Sequence, residues 1–215
     1  METTHMPRIG DPAPDFEALT TIGPIKFSEY IKDSWAILFS HPADFTPVCT
    51  TELGGFAQEK EWFAARNTKL IGESIDSIHS HVAWVQAVRE KTGVLMDFPI
   101  IADIDMRVAK RYGMLHENAS NTAAVRAVFF IDPKGIIRLV MYYPLNVGRN
   151  MDEIKRVLEA MQTADVHGCA MPLNWKAGEK VIVPPPKTLG ELDARLQDKS
   201  VELIDFYLAK KDLGA

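Results

Sequence analysis

The feature that most constrains this chain is a pair of apolar runs joined by a tight turn. Residues 127–132 read AVFFID, residues 133–135 read PKG, and residues 136–143 read IIRLVMYY. Asp132-Pro133-Lys134-Gly135 has Pro at the second and Gly at the fourth turn position, so the two runs read as an antiparallel hairpin. Two earlier runs, residues 35–40 (WAILFS) and 69–76 (KLIGESID), are short and apolar and read as buried strands. The stretches beside them are helical in pattern. Residues 50–67 put Leu53, Phe56, Ala57, Phe63 and Ala64 on one face, and residues 80–91 space Val82, Val85 and Val88 helically, with Trp84 alongside. Residues 151–164 begin with acids and carry Ile154, Val157, Leu158 and Met161 as a stripe. Strands alternating with helices, closed by a hairpin and a helix, predict an α/β sandwich around a mixed sheet.

Past about residue 170 the composition changes, with Pro172 and the run Pro184-Pro185-Pro186. Residues 180–183 (KVIV) read as a short edge strand that the prolines stop from extending. Residues 189–211 are helical in pattern. This tail is too small for a core of its own and is expected to pack on the main domain or on a partner subunit.

The 215 residues suit one domain, or one domain with an appendage. A net charge of −5 gives no basic footprint for nucleic acid. No apolar run approaches the ~20 residues that span a bilayer. The start, METTHMPRIGDPAPDF, lacks the basic and apolar regions of a secretory signal, and Met6 is an alternative start that makes residues 1–5 an extension. Two cysteines, Cys49 and Cys169, are too few for a disulfide scaffold. A cytoplasmic, reducing setting is expected.

Cys49 has an unusual address. In Thr46-Pro47-Val48-Cys49, Thr is a favoured helix N-cap and Pro a favoured first helical residue, so the sulfur falls in the first turn. Unpaired backbone N–H groups and the helix dipole there favour an anion, hence a thiolate. A cation is expected nearby. Arg126 enters an otherwise apolar strand, and Arg149 stands just before a predicted helix. The Thr46 hydroxyl is placed to reach the same pocket, and Pro42 shields it while removing one N–H from the loop. Bland readings stand beside these. A lone cysteine is often a small buried hydrophobe, Arg126 a salt-bridge residue, and His41 a strand-end residue.

The octapeptide PADFTPVC fits Pro-x-x-x-Thr-x-x-Cys, the signature of the peroxiredoxins. The longer stretch SWAILFSHPADFTPVCTTELG resembles the one-cysteine, peroxiredoxin 6-like branch, in which His precedes the Pro. The likeness runs on through ESIDSIHSHVAWV, FPIIADID, RAVFFIDPKGIIR, YPLNVGRNMDEI and NWKAGEKVIVPP. It implies a thioredoxin-like α/β fold, a peroxidase domain over residues 6–165, and a C-terminal arm over residues 166–215 used in dimer contacts. By position it makes Cys49 the peroxidatic cysteine, with Thr46 and Pro42 completing its pocket. Arg126 becomes the arginine that stabilises thiolate and transition state, Arg149 and Glu52 supporting residues, and His41 the histidine near the sulfur. The implied activity is thiol-dependent reduction of hydrogen peroxide and organic hydroperoxides through a Cys49 sulfenic acid, in antioxidant defence. No cofactor, metal, flavin or haem is implied. The implied partners are a thioredoxin-, glutaredoxin- or glutathione-type reductant and further copies of the chain, as a homodimer or decameric ring.

Cys169 leaves two modes open. Two-cysteine relatives carry a resolving cysteine in a His-Gly-x-x-Cys-Pro pattern, but here Met171 takes that place and Cys169 stands two residues earlier. Cys169 is then either a resolving cysteine out of register or a passive thiol in an enzyme recycled externally. Rival functions fit less well. A disulfide reductase needs Cys-x-x-Cys, and residues 49–52 read Cys-Thr-Thr-Glu. A lipase-like site at Ser34 lacks the Gly-x-Ser-x-Gly frame and has Ser28 where such relatives have histidine. A holdase role would survive loss of Cys49. His79, His81, His167 and Cys169 make no full zinc set, His81 reads as a helix-start residue, and no metal is expected.

Overall fold

The computed structural model describes residues 6–120 and 122–214; the proposed extension at residues 1–5 lies outside them. The chain divides into two compact units, one ending at Arg149 and the other beginning at Asn150.

The first unit is built on a seven-stranded sheet. In chain order its elements are β1 (Glu17–Thr20), β2 (Gly23–Lys26), α1 (Phe27–Tyr30), β3 (Trp35–Ser40), α2 (Pro47–Gln58), α3 (Lys60–Ala64), β4 (Thr68–Ser74), α4 (Ile78–Thr92), β5 (Ile100–Ala102), α5 (Arg107–Arg111), β6 (Arg126–Ile131) and β7 (Ile137–Tyr143). The strand order is β2-β1-β5-β4-β3-β6-β7. β3 pairs in parallel with β4 and antiparallel with β6, so the mixed sheet expected from the hairpin is present, with β6 and β7 as that hairpin. All six residues of β3 are buried, which is why it reads as an unbroken apolar run. The helix over 50–67 is two helices, separated at Glu59. Phe56 of α2 stacks on Phe39 of β3 with ring centroids 4.0 Å apart, which fixes α2 on the sheet. In α4 the buried residues are His81, Trp84 and Val88, while Val82 is exposed, so the buried stripe is turned from the valine face expected.

β1 and β2 are short, mostly exposed strands with little apolar periodicity to announce them. Their hairpin turns at Gly23, whose φ of 112° few other residues adopt, and the Thr20 hydroxyl donates to the Gly23 carbonyl (2.6 Å). β1 then joins β5 through a single residue pair, Thr20 with Ile101.

Glu73 of β4 is fully buried, and neither of its carboxyl oxygens has a hydrogen-bond partner among the described residues. Burial, and then the charges of Asp103 and Asp76, push its pKa well above the usual carboxylate range. The native state therefore holds a proton that the unfolded chain releases above about pH 4.3. Stability at this site is intact in acid and is lost as pH climbs from there toward the raised native value, by up to about 1.4 kcal/mol per pH unit. Glu73→Gln keeps the neutral shape at every pH. Its urea midpoint is expected to gain on wild type as pH rises above about 4.3 toward the raised native value. A difference that stays constant with pH would refute the buried-proton account.

The second unit holds α6 (Met151–His167), β8 (Val181–Val183), α7 (Leu189–Gln197), β9 (Glu202–Asp205) and β10 (Leu208–Lys211). Asn150 caps α6 by accepting from the Glu153 N–H, and Gly168 ends the helix in the left-handed region. β8 is an edge strand, as KVIV predicted, in an antiparallel sheet ordered β8-β10-β9. The single helix expected over 189–211 is corrected: α7 stops at Gln197, and residues 202–211 form a hairpin. The apolar spacing of Leu189, Leu192 and Leu196 gives way after Asp198 to residues favouring strands, Val201, Ile204, Phe206 and Tyr207. No described helix is long and apolar enough to cross a membrane.

Candidate active site

The loop from β3 to α2 carries His41, Pro42 and Thr46, and α2 carries Cys49 and Glu52. Thr46 takes the extended N-cap conformation (φ −107°, ψ 148°) and Pro47 opens the helix, so the predicted helix start is the observed one. The capping chemistry differs. The Thr46 hydroxyl donates to the Ala43 carbonyl (2.9 Å) and makes no bond to the helix N–H groups. With its proton committed, the hydroxyl can meet a further group only as an acceptor. The preceding residue, Phe45, is exposed and has a left-handed φ of 55°, which costs energy for an aromatic residue. Pro42 is half-buried in this loop.

Cys49 is fully buried. Arg126, the first residue of β6, donates from Nη1 to the Cys49 sulfur (3.3 Å) and to Glu52 Oε2 (2.6 Å). Its Nε and Nη2 both donate to the Leu145 carbonyl (3.0 and 2.6 Å), which holds the guanidinium in one orientation. Arg149 closes the other side. Its backbone N–H and Nε donate to Glu52 Oε1 (2.8 and 2.9 Å) and its Nη2 to Glu52 Oε2 (2.8 Å). Its Nη1 donates to the carbonyls of Ser40 and Ala127 (2.8 and 3.1 Å), and the guanidinium lies over the rings of Phe39 and Phe56. Burial pulls the Arg149 pKa down, and Glu52 opposes it.

Charge balance follows from this geometry. Arg126, Arg149 and Glu52 are nearly inaccessible to water, with side-chain exposures of 3%, 1% and 5%. Two buried cations face one carboxylate. An uncompensated buried charge is costly, and the Cys49 sulfur, bonded by Arg126, is the atom at which one more negative charge would complete the set. The structure thus brings Cys49, Arg126, Glu52 and Arg149 together. Glu52, given a secondary place in the sequence, is the hub of the cluster.

His41 is fully buried and its Nε2 bonds Asp44 Oδ1 (2.9 Å). Asp44 also takes His81 Nδ1 on both oxygens (3.0 and 2.8 Å), and His81 Nε2 bonds the Ile101 carbonyl (3.0 Å). Asp44 was not singled out in the sequence, although it lies inside the motif. His81, read as a plain helix-start residue, is a fully buried member of this network, and His79, two residues before it, is exposed. The histidines reach the helix start through Trp84: the His41 ring is 5.1 Å from Trp84, whose Nε1 donates to the Thr50 hydroxyl (3.3 Å).

Ser34 is buried and its hydroxyl donates to the Ile31 carbonyl (2.8 Å), while Ser28 is bonded to Asp15. Neither serine meets a histidine in these bonds. Cys169, in the second unit, is partly buried. Burial raises its thiol pKa, and its sulfur approaches the Thr163 carbonyl (3.9 Å).

Comparison with known proteins gives the same picture. Residues 9–140 match the profile of the AhpC/TSA family, and residues 160–199 match that of the C-terminal domain of 1-Cys peroxiredoxin. A peroxiredoxin of Aquifex aeolicus is 52% identical over 98% of this chain and 99% of its own length. Peroxiredoxin 2 of Caldanaerobacter subterraneus subsp. tengcongensis is 53% identical over 96% of this chain and 93% of its own. Among solved structures, a yeast mitochondrial 1-Cys peroxiredoxin superposes with a TM-score of 0.87 at 44% identity, covering 96% of this chain and all of that one. A buried cysteine on a helix N-terminus, held by a buried arginine, on a thioredoxin-like fold shared along the whole chain with such relatives has one reading: the chain belongs to the peroxiredoxins, thiol-dependent peroxidases, and Cys49 is its peroxidatic cysteine.

Proposed function

We propose that the chain reduces hydrogen peroxide and organic hydroperoxides in the one-cysteine mode, with an external thiol restoring Cys49. The observation that carries the reading is the buried cluster of Cys49, Arg126, Glu52 and Arg149. The thiolate attacks one oxygen of the hydroperoxide. An S–O bond forms, the O–O bond breaks, and its electron pair leaves on the alkoxide or hydroxide, which takes a proton from water. Arg126 stabilises charge developing on the reacting oxygens, Arg149 and Glu52 hold Arg126 in place, and Thr46 accepts the hydroperoxide O–H. Pro42 covers the pocket mouth, and His41 borders it. Two contacts support that last position. Ser40, the residue before His41, accepts from Arg149, and Trp84, beside the His41 ring, donates to Thr50, the residue after Cys49.

For the external reductant, support comes from Met171 standing at the resolving position and from the burial that raises the Cys169 pKa and weakens it as a nucleophile. The structurally similar yeast enzyme is described as resolved through glutathione and thioredoxin systems, and a reductant of that class is our proposal here. Self-association through residues 166–215 belongs to the same reading. α7 has no buried residue, and Leu189, Leu196, Phe206 and Tyr207 are exposed. Two free cysteines suit a reducing cytoplasm.

One equivalent of peroxide, followed by non-reducing electrophoresis and intact mass, tests the mode. Wild type and Cys169→Ser are both expected to run as monomers one oxygen heavier, and to be restored by added thiol at the same rate. A covalent dimer that disappears in Cys169→Ser would make Cys169 the resolving cysteine and end the one-cysteine reading.

A further inference from the structure

Glu73 is a buried acid that the peroxidase chemistry does not use. It is closed to water, and neither carboxyl oxygen has a hydrogen-bond partner among the described residues. The charges that act on it are acidic: first Asp103, on the loop from β5 to α5, then Asp76, after β4. Its neighbours across the sheet are Ser40 on β3 and Ile101 on β5, so neither flanking strand sets a cation opposite it. The Ser40 hydroxyl is already engaged, donating to the Val125 carbonyl (2.6 Å) and accepting from the Ala127 N–H (3.0 Å). On α4, His81 is bonded to Asp44 and to the Ile101 carbonyl.

Asp103 is the residue that anchors α5. Its Oδ1 accepts from the Val108 N–H (3.0 Å) and its Oδ2 from the Ala109 N–H (2.7 Å). Met106, just before the helix, has a left-handed φ of 60° and supplies no side-chain cap. Burial raises the Asp103 pKa, and the two N–H bonds oppose it. Asp103 therefore has donors for a negative charge and Glu73 has none, so of these two acids Glu73 is the one that keeps a proton. No cation of α5 answers Glu73: Arg107 pairs with Asp105, Arg111 donates to the Asp15 carbonyl, and Lys110 is exposed. Tyr112, at the end of the helix, donates its O–H to the Pro14 carbonyl (2.8 Å). Beside α5 lies a cavity of about 240 Å³, lined by Phe16, Leu19, Asp103, Val108 and Arg111 among others, so the helix has room to move.

We propose that α5 is a proton-linked latch: residues 103–111 stay closed while Glu73 holds its proton, and they open locally as Glu73 passes that proton to water. In the closed state the two acids hold one proton between them. In the open state Asp103 leaves the Val108 and Ala109 N–H groups, water reaches Glu73, and its carboxyl ionises with an ordinary pKa of about 4.3. Opening therefore releases one proton at any pH between that value and the raised native one. Across that window the opening constant grows by up to about tenfold per pH unit. Below about pH 4.3 no proton is released and the latch is at its tightest. Above the native value the growth stops. An alkaline shift thus loosens α5, and an acid shift closes it.

Amide hydrogen exchange of the full chain, corrected for the intrinsic effect of pH on exchange, tests the latch. The Val108 and Ala109 amides are expected to be less protected than those of Leu38 and Phe39 in β3, a strand paired on both sides. Their protection is expected to fall by up to about tenfold per pH unit above about pH 4.3. In Glu73→Gln, which keeps the shape and cannot ionise, that fall is expected to vanish. An infrared C=O band of a protonated carboxyl is expected at neutral pH in wild type and absent in the variant. Val108 and Ala109 protection that is flat with pH in wild type, that equals that of Leu38 and Phe39, or that falls as steeply in Glu73→Gln overturns the latch, as does a wild type without the band. Three of those four outcomes need wild type alone, so the test stands even where the variant does not fold. Peroxide enters none of these measurements, so failure here is distinct from failure of the peroxidase reading, which would appear as peroxide consumption surviving in Cys49→Ser.

Discussion

Arg126→Met is expected to lower the second-order rate constant for peroxide by about 10³-fold, the upper range for losing one preorganised donor at a developing charge. The substitution keeps the length and apolar stem of the side chain but deletes every N–H that meets Cys49, Glu52 and Leu145. Arg126→Lys is expected to recover little. A lysine offers one compact charge and cannot bond the sulfur while forking onto the Leu145 carbonyl. Stopped-flow oxidation of the reduced protein, followed by Trp fluorescence, reads the constant directly. A folded Arg126→Met that keeps more than about a tenth of the wild-type rate, a loss below the smallest expected for such a donor, would show that the guanidinium does not act on the reacting oxygens.

Cys49→Ser is expected to take peroxide consumption to the background rate. Removing a nucleophile from an intact site costs of order 10⁴-fold or more, and serine in this setting has no base to activate it. The charge balance adds a second expectation. Serine is neutral, so Arg126 and Arg149 are left facing Glu52 alone in a site closed to water. The variant is expected to unfold at lower urea than reduced wild type at neutral pH. Retained peroxidase activity would defeat the assignment of Cys49, and an unchanged urea midpoint would defeat the account of the thiolate as the balancing anion.

The parts of this site that are local in sequence were legible there. A Thr-Pro pair three residues before a cysteine specifies a helix start from backbone sterics and capping alone, and the structure has that start at Thr46 and Pro47. An arginine in AVRAVFF stands out because strands buried on both faces exclude charge, and Arg126 is indeed buried at the sulfur. What escaped was partnership over long separations. Nothing near Glu52 announces that both arginines converge on it, and nothing near His81 announces Asp44, a residue on another element. The Thr46 hydroxyl makes no bond to the helix N–H groups because a single local carbonyl, that of Ala43, takes its proton. In the fold, the five apolar residues that open β3 and the PKG turn carried the sheet. In the tail, leucines at helical spacing run into residues 202–211, which pair as a hairpin and, through β10, with the distant β8.

The buried pair of arginines against one glutamate also bears on what happens to the enzyme under excess substrate. The charge on the sulfur alternates as it gains oxygen: the thiolate is an anion, the sulfenic acid is neutral, and the sulfinic acid is again an anion at neutral pH. The pocket is therefore electrostatically complete at the first and third stages and one negative charge short at the second. The catalytic intermediate is the state the site holds least well, while the inactivated sulfinate regains the complement that made the thiolate stable. The buried arginines that favour an anion at Cys49 thus also favour the sulfinate, and the reductant must act in the one stage where the pocket's charge favours change.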